Sequence, residues 1–182
     1  MNGSDVFWKI WSVVATSRRF ASFGKRTWIR KPLMISNPQR ISIGNNCFIR
    51  DGARLEVVIR PGLNPGHLTI GDRVTIEQDV HIIASCSVII EDDVAITPRC
   101  TIVDATHPIG LPEDGNRARI LSTETAFVHL EKRVFLGANV VVLPNVRIGA
   151  NSVIGANSVV TSDIPPNSIA VGAPAQVIRT IE

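Results

Sequence analysis

The side chains of this 182-residue chain best suited to moving a proton near neutral pH are its four histidines, at 67, 81, 107 and 129. His67, His81 and His129 read as loop, outward or corner residues. His107 differs, because it is the only imidazole in VDATHPIGLPEDGNRARILSTETAF (103–127), a stretch with two prolines and mixed charge. Pro108 biases His107 toward an extended backbone and so fixes where the ring leaves the chain. A neutral imidazole with an ordinary pKa near ~6.5 can take the proton of a hydroxyl as that oxygen attacks a carbonyl. Asp104, three residues earlier, either orients this ring, holds a substrate hydroxyl, or caps the loop. There is no G-x-S-x-G nucleophile turn and no C-x-x-C. A zinc centre of three histidines would need them to converge, and intervals of 14, 26 and 22 residues lack a close pair.

The frame that must hold such a residue is legible downstream. Residues 128 to 160 read VHLEKR VFLGAN VVVLPN VRIGAN SVIGAN SVV, with a branched aliphatic at every sixth place: Leu130, Leu136, Val142, Ile148, Ile154 and Val160. The place two before each is small or β-branched. A period of six fits neither helix nor ordinary strand and marks a hexapeptide β-helix, in which three short faces make one coil. Allowing three breaks in phase, the pattern extends back through Ile43, Ile49, Leu55, Ile70, Ile76, Ile82, Ile90, Ile96 and Ile102. Fifteen slots predict about five coils, some ~24 Å tall at the usual strand spacing. Cys47 and Cys100 fall in the small slot and Cys86 in a phase break, so all three cysteines read as packing residues. Gly44, Gly71, Gly137, Gly149 and Gly155, with Asn139, Asn151 and Asn157, read as corner residues with unusual backbone angles.

Length and a 45% hydrophobic content suit one domain. Charge is unevenly spread: residues 1–40 hold eight Lys or Arg against Asp5 alone, net +7, leaving eleven basic and fifteen acidic residues, net −4, on the rest. Phe7, Ile10, Trp11 and Val14 can share a helical face. This basic arm is expected either to cap the open first coil or to make peripheral contact with an anionic membrane or lipid-linked glycan. No apolar run nears the ~20 residues of a membrane span, so a cytoplasmic protein is expected, with peripheral contact at the inner membrane face as the arm's second reading. The division expected is a basic helix or arm at 1–40, the β-helix at 41–163 with a protruding loop at 103–127, and a tail at 164–182.

Two stretches resemble a known family. RIGANSVIGANSVVTSDIPPNSIAVGAPAQVIRTI, with its D-I-P-P-N-S and V-G-x-P-A-x-V-I-R elements, resembles the end of the hexapeptide-repeat acyltransferases, particularly the galactoside, maltose and nodulation-factor acetyltransferase branch. IEDDVAITPRCTIVDATHP resembles the stretch around that branch's active-site histidine, and His107 lies seventeen residues after Ile90, the family's interval. The resemblance spans roughly residues 68 to 180. It implies an all-β, left-handed parallel β-helix, an exception to right-handed crossovers, assembled as a homotrimer. It further implies acetyl-CoA as co-substrate, no metal, a sugar or glycan acceptor rather than nucleic acid, and His107 as general base. The family's acceptor-contacting Asn falls on Glu77, a departure, and its active-site Trp on Phe135. The small residues of its pantetheine groove fall on Ala138 and Ala156, with Thr161 and Ser162 next along, and of two basic tail residues only Arg179 remains.

The expected function is therefore acetyl-CoA-dependent O-acetylation of a sugar or surface-glycan hydroxyl by direct transfer. The competing expectations are N-acetylation of an amino sugar, a metal enzyme of the γ-carbonic-anhydrase type, and a scaffold without catalysis.

Overall fold

A computed structural model describes residues 6–8, 11, 17–60, 64–107 and 124–182. Its strands are short because each face of the prism is only a few residues wide. The first face carries β1 (Ser22–Phe23), β4 (Ile41–Ile43), β7 (His67–Ile70), β10 (Ser87–Ile90), β13 (Phe127–Leu130) and β16 (Val146–Ile148). The second carries β2 (Trp28–Ile29), β5 (Phe48–Ile49), β8 (Thr75–Ile76), β11 (Ala95–Ile96), β14 (Phe135–Leu136) and β17 (Val153–Ile154). The third carries β3 (Met34–Ser36), β6 (Arg54–Val57), β9 (His81–Ala84), β12 (Thr101–Val103), β15 (Val141–Val142) and β18 (Val159–Val160). Each strand pairs in parallel with the one a coil away, giving a left-handed parallel β-helix. The second face continues into β19 (Ser168–Gly172), where the chain turns back as the antiparallel β20 (Ala175–Thr180).

All fifteen branched residues of the six-residue pattern point inward and are buried. Branched aliphatics serve there because their stiff side chains stack rung on rung along a narrow axis, each burial stabilising by roughly 1.5–3 kcal/mol. Cys47 and Cys100 are buried among them, their thiols donating to Gly71 O at 3.0 Å and Gly137 O at 3.1 Å. Burial pushes both thiols above their ordinary pKa.

Two expectations need correction. The prism has six coils, not five, because β1, β2 and β3 form a coil inside the segment read as a basic arm. Phe23, Ile29 and Ile35 are its inward residues, and the eight-residue step from Ile35 to Ile43, around the turn Pro38–Arg40, hid their phase. The corner glycines also have another cause. Gly137 and Gly149 lack positive φ; instead a Cβ would lie 2.6 Å from Ala156 N and 2.3 Å from Pro166 N, so they are there to let coils touch. The left-handed corner position is filled by Asn139, Asn151 and Asn157 as expected, but also by Arg73, Arg99, Arg133, Asp79 and Asp93. Corner side chains then bond along the prism, as in Arg99 Nε to Asn139 Oδ1 and Asn139 Nδ2 to Asn157 Oδ1, both 2.9 Å.

Helical backbone is described at 6–8 and Trp11. No helix among the described residues is long and apolar enough to cross a membrane.

Candidate active site

The three phase breaks fall on one edge of the prism. Residues 58–66 join β6 to β7, 85–86 join β9 to β10, and 104–126 join β12 to β13, each passing from the third face to the first. His107 stands exposed on this edge, four residues beyond the end of β12. The loop that follows it lies outside the described residues from 108 to 123.

Both carboxylate oxygens of Asp104 are engaged by backbone donors. It is 1% exposed, and its Oδ1 accepts from Ser85 N at 2.5 Å while Oδ2 accepts from Cys86 N at 2.8 Å and Ser87 N at 2.6 Å. Three backbone donors that the tight 85–87 turn would leave unpaired are satisfied by one carboxylate. Of its three expected roles the capping one matches this geometry. Asp104 thereby fixes the root of the His107 loop to the coil below. Cys86 ties the same edge together: its sulfur accepts from Arg60 Nη2 at 2.7 Å and from Ala126 N at 3.4 Å, and Arg60 Nη1 donates to Glu124 O at 3.1 Å. Arg60 is a residue the sequence reading missed. An open pocket on this edge is lined by Arg60, His67, Cys86, Ser87 and Thr125 among others.

The remaining expected residues lie mostly on a second edge, between the second and third faces. Glu77 follows β8 there, and Ala138 and Ala156 follow β14 and β17; the two alanines share one slot a coil apart, one residue further along than the slot of Glu77, with Ala156 exposed and Ala138 half-buried. Phe135 projects from β14 on the second face, 42% exposed. Its ladder runs Trp28, Phe48, Thr75, Ala95, Phe135 and Val153 in register. The small Thr75 and Ala95 thus form a recess between Phe48 and Phe135.

Glu77 has a partner the sequence reading missed. Arg50 Nε lies 2.9 Å from Glu77 Oε2. The same guanidinium stands over the Phe48 ring, Cζ 4.7 Å from its centre, and Phe48 stacks on Trp28 at 4.1 Å with 22° between planes. A signal existed: Arg50 follows inward Ile49 as Glu77 follows inward Ile76, the same slot one coil apart.

Thr161 and Ser162 are exposed after β18, on the edge that carries His107, and Arg179 is exposed on β20 opposite Ile169. One chain therefore does not gather its expected site. His107 and Glu77 flank the third face from opposite sides, His107 beyond the end of β12 and Glu77 before the start of β9. His67, read as a loop residue, begins β7 and lies 3.2 Å from Ser87 Oγ; His129 lies 2.8 Å from Glu91 Oε1; His81 projects from β9. Among the described residues no three His, Cys, Asp or Glu side chains converge as metal ligands would.

Comparison with known proteins agrees with this architecture. Residues 127–162 match the family described as bacterial transferase hexapeptide (six repeats). The chain is 34% identical over 164 residues to the galactoside O-acetyltransferase of Escherichia coli K12, covering 89% of this chain and 64% of that protein. It thus spans a little under two thirds of that relative's length. It is 36% identical over 158 residues to E. coli WbbJ, a protein named for O-acetyl transfer in lipopolysaccharide biosynthesis, covering 83% of this chain and 77% of WbbJ. Among solved structures, a mutant of the N-acyltransferase AntD from Bacillus cereus, in complex with dTDP and coenzyme A, superposes with a TM-score of 0.74 at 29% identity, covering 90% of this chain and 85% of that one.

Proposed function

This chain belongs to the hexapeptide-repeat acyltransferase family, and from that premise we propose that it transfers the acetyl group of acetyl-CoA directly to a hydroxyl of a sugar or cell-surface glycan. His107 is the general base. A ring nitrogen takes the acceptor hydroxyl proton as the oxygen attacks the thioester carbonyl, the new C–O bond forms, the C–S bond breaks, and the imidazolium returns its proton to the departing coenzyme A sulfur. No enzyme-bound acyl group intervenes. A backbone N–H of a neighbouring coil meets the developing oxyanion. When bound, acetyl-CoA supplies the activated acyl group; Ala138 and Ala156 leave room along the second edge for its narrow arm, with Thr161, Ser162 and Arg179 as its further contacts.

The observation that carries this reading is the split between edges. His107 occupies one edge, and Glu77, Ala138 and Ala156 lie on another, with Phe135 on the second face beside it. A second copy of the prism, set with its His107 edge against the Glu77 edge, completes a site that one copy lacks, and three-fold closure does so three times. The proposed assembly is therefore a homotrimer with three sites between subunits.

The resemblance to WbbJ and the galactoside enzyme supports a hydroxyl acceptor. The likeness to AntD supports the second reading, transfer to the amine of an amino sugar. Thiol release from acetyl-CoA, measured against sugars, amino sugars and lipid-linked oligosaccharides, tests both. Turnover with neutral sugars or glycans is expected. Turnover confined to amines would replace the first reading by the second, and thiol release with none of these acceptors would overturn both.

A further inference from the structure

The N-terminal end of the prism carries a surface unlike the rest. Residues 17–40 contain seven Lys or Arg and no Asp or Glu. Arg30 pairs with Asp51 at 3.0 Å. The other six, Arg18, Arg19, Lys25, Arg26, Lys31 and Arg40, are exposed and make no ion pair among the described residues. They crowd one coil, while residues 41–182 carry eleven basic and fifteen acidic residues, net −4.

Apolar side chains share this end for a structural reason. Leu33 holds the place two before inward Ile35, and its counterparts on the same face, Ala53, Val80, Cys100, Val140 and Ser158, are all buried. Leu33 is 67% exposed because β3 is the outermost strand of its sheet, with no coil beyond it among the described residues. Met34 beside it is 37% exposed, as are Phe7 at 58% and Val6 at 40%. Trp11, Arg19, Leu33, Met34 and Pro38 line an open hollow there.

We propose that this end is a docking surface for an anionic lipid bilayer, with the prism standing on its first coil. Cations without acidic neighbours are drawn to anionic headgroups, each worth a useful fraction of the binding. Leu33, Met34 and Phe7 then enter the acyl boundary, a destination that polyanionic nucleic acid would not offer them. The acidic remainder of the chain is repelled by the same surface, which selects this end and orients the molecule. The inference does not depend on the acyl-transfer reading, though it suits a lipid-linked acceptor.

Co-sedimentation of the full chain with vesicles of phosphatidylcholine, with or without about 30% phosphatidylglycerol, tests it. Binding is expected only with the anionic lipid, and should fall steeply as salt rises from about 0.05 M to about 0.5 M. The combined variant Lys25→Glu, Arg26→Glu, Lys31→Glu should reduce partitioning at least about 100-fold. Its melting temperature and its thiol release with a soluble acceptor should match wild type. Leu33→Ser should keep the low-salt binding and lose what persists at high salt; should the triple variant fail to fold, this variant and the salt series still decide. Equal binding to neutral and anionic vesicles, no binding at low salt, an unaffected folded triple variant, or binding to an oligonucleotide but not to vesicles would each overturn the proposal.

Discussion

Arg50 is shared between Glu77, whose Oε2 lies 2.9 Å from its Nε, and the Phe48 ring beneath it. The guanidinium thus combines a contact with the aromatic face and an ion pair with the carboxylate, a pairing that arginine supports better than lysine. One Glu77 oxygen is thereby occupied, and the carboxylate is fixed beside the recess formed by Thr75 and Ala95.

If Glu77 reads the acceptor, Arg50 acts through it. Arg50→Gln should raise the acceptor Michaelis constant by about tenfold with little change in kcat or in the acetyl-CoA constant, the pattern of lost uniform binding. Arg50→Lys should not rescue it. A unchanged acceptor constant in a folded Arg50→Gln protein would leave the pair a structural contact only.

His107→Ala should lower kcat by at least about 100-fold while the acetyl-CoA constant barely moves, the scale of a lost general base. His81→Ala, on the outward side of β9, should be nearly silent. Steady-state kinetics of the two variants side by side is the check, and a His107→Ala enzyme within about threefold of wild type would sink the mechanism.

Ala156 is exposed at its corner, so added bulk meets the cofactor rather than the core. Ala156→Leu should raise the acetyl-CoA constant strongly and leave the melting temperature near wild type. A sharp fall in melting temperature would instead signal overpacking and remove Ala156 from the groove.

Asp104→Ala should destabilise the fold by about 3 kcal/mol or more, because three backbone N–H groups lose one common acceptor. Asp104→Asn keeps one acceptor oxygen and should cost less. Denaturant titration of both variants measures this; a stable Asp104→Ala protein that has lost only acceptor affinity would return Asp104 to the substrate.

The cysteines should separate by reactivity. Cys47 and Cys100 are buried with thiols pushed above their ordinary pKa, whereas Cys86 is only half-buried at the loop edge. Mass spectrometry after brief iodoacetamide treatment should find Cys86 labelled first, and the other two only after unfolding.

How far the sequence could be read follows from the range of each interaction. All fifteen residues that the six-residue period picked out from Ile43 to Val160 are buried, because facing inward depends only on position within a coil; Val57 and Ala84, buried where β6 and β9 run on toward the irregular edge, lay outside the pattern. The first coil escaped notice because Phe23, Ile29 and Ile35 sit among cations and a step of eight breaks their phase. Arg50 and Glu77 are 27 positions apart, and Arg60 and Cys86 are 26 apart; a one-coil separation becomes visible only when slots are aligned across irregular breaks. Asp104 carried three possible roles because its donors, at 85 to 87, belong to the coil below.

Only the edge between the third and first faces changes length from coil to coil, with connections of nine, two and twenty-three residues at 58–66, 85–86 and 104–126. The other edges are held to constant turns by backbone contacts so close that Gly137 admits no Cβ. Evolution can therefore lengthen, shorten or exchange loops beside His107 without shifting the rungs that space Ala138 from Ala156. New acceptor preferences can arise on an unchanged cofactor frame, and loop grafting at this edge is where an engineer should begin.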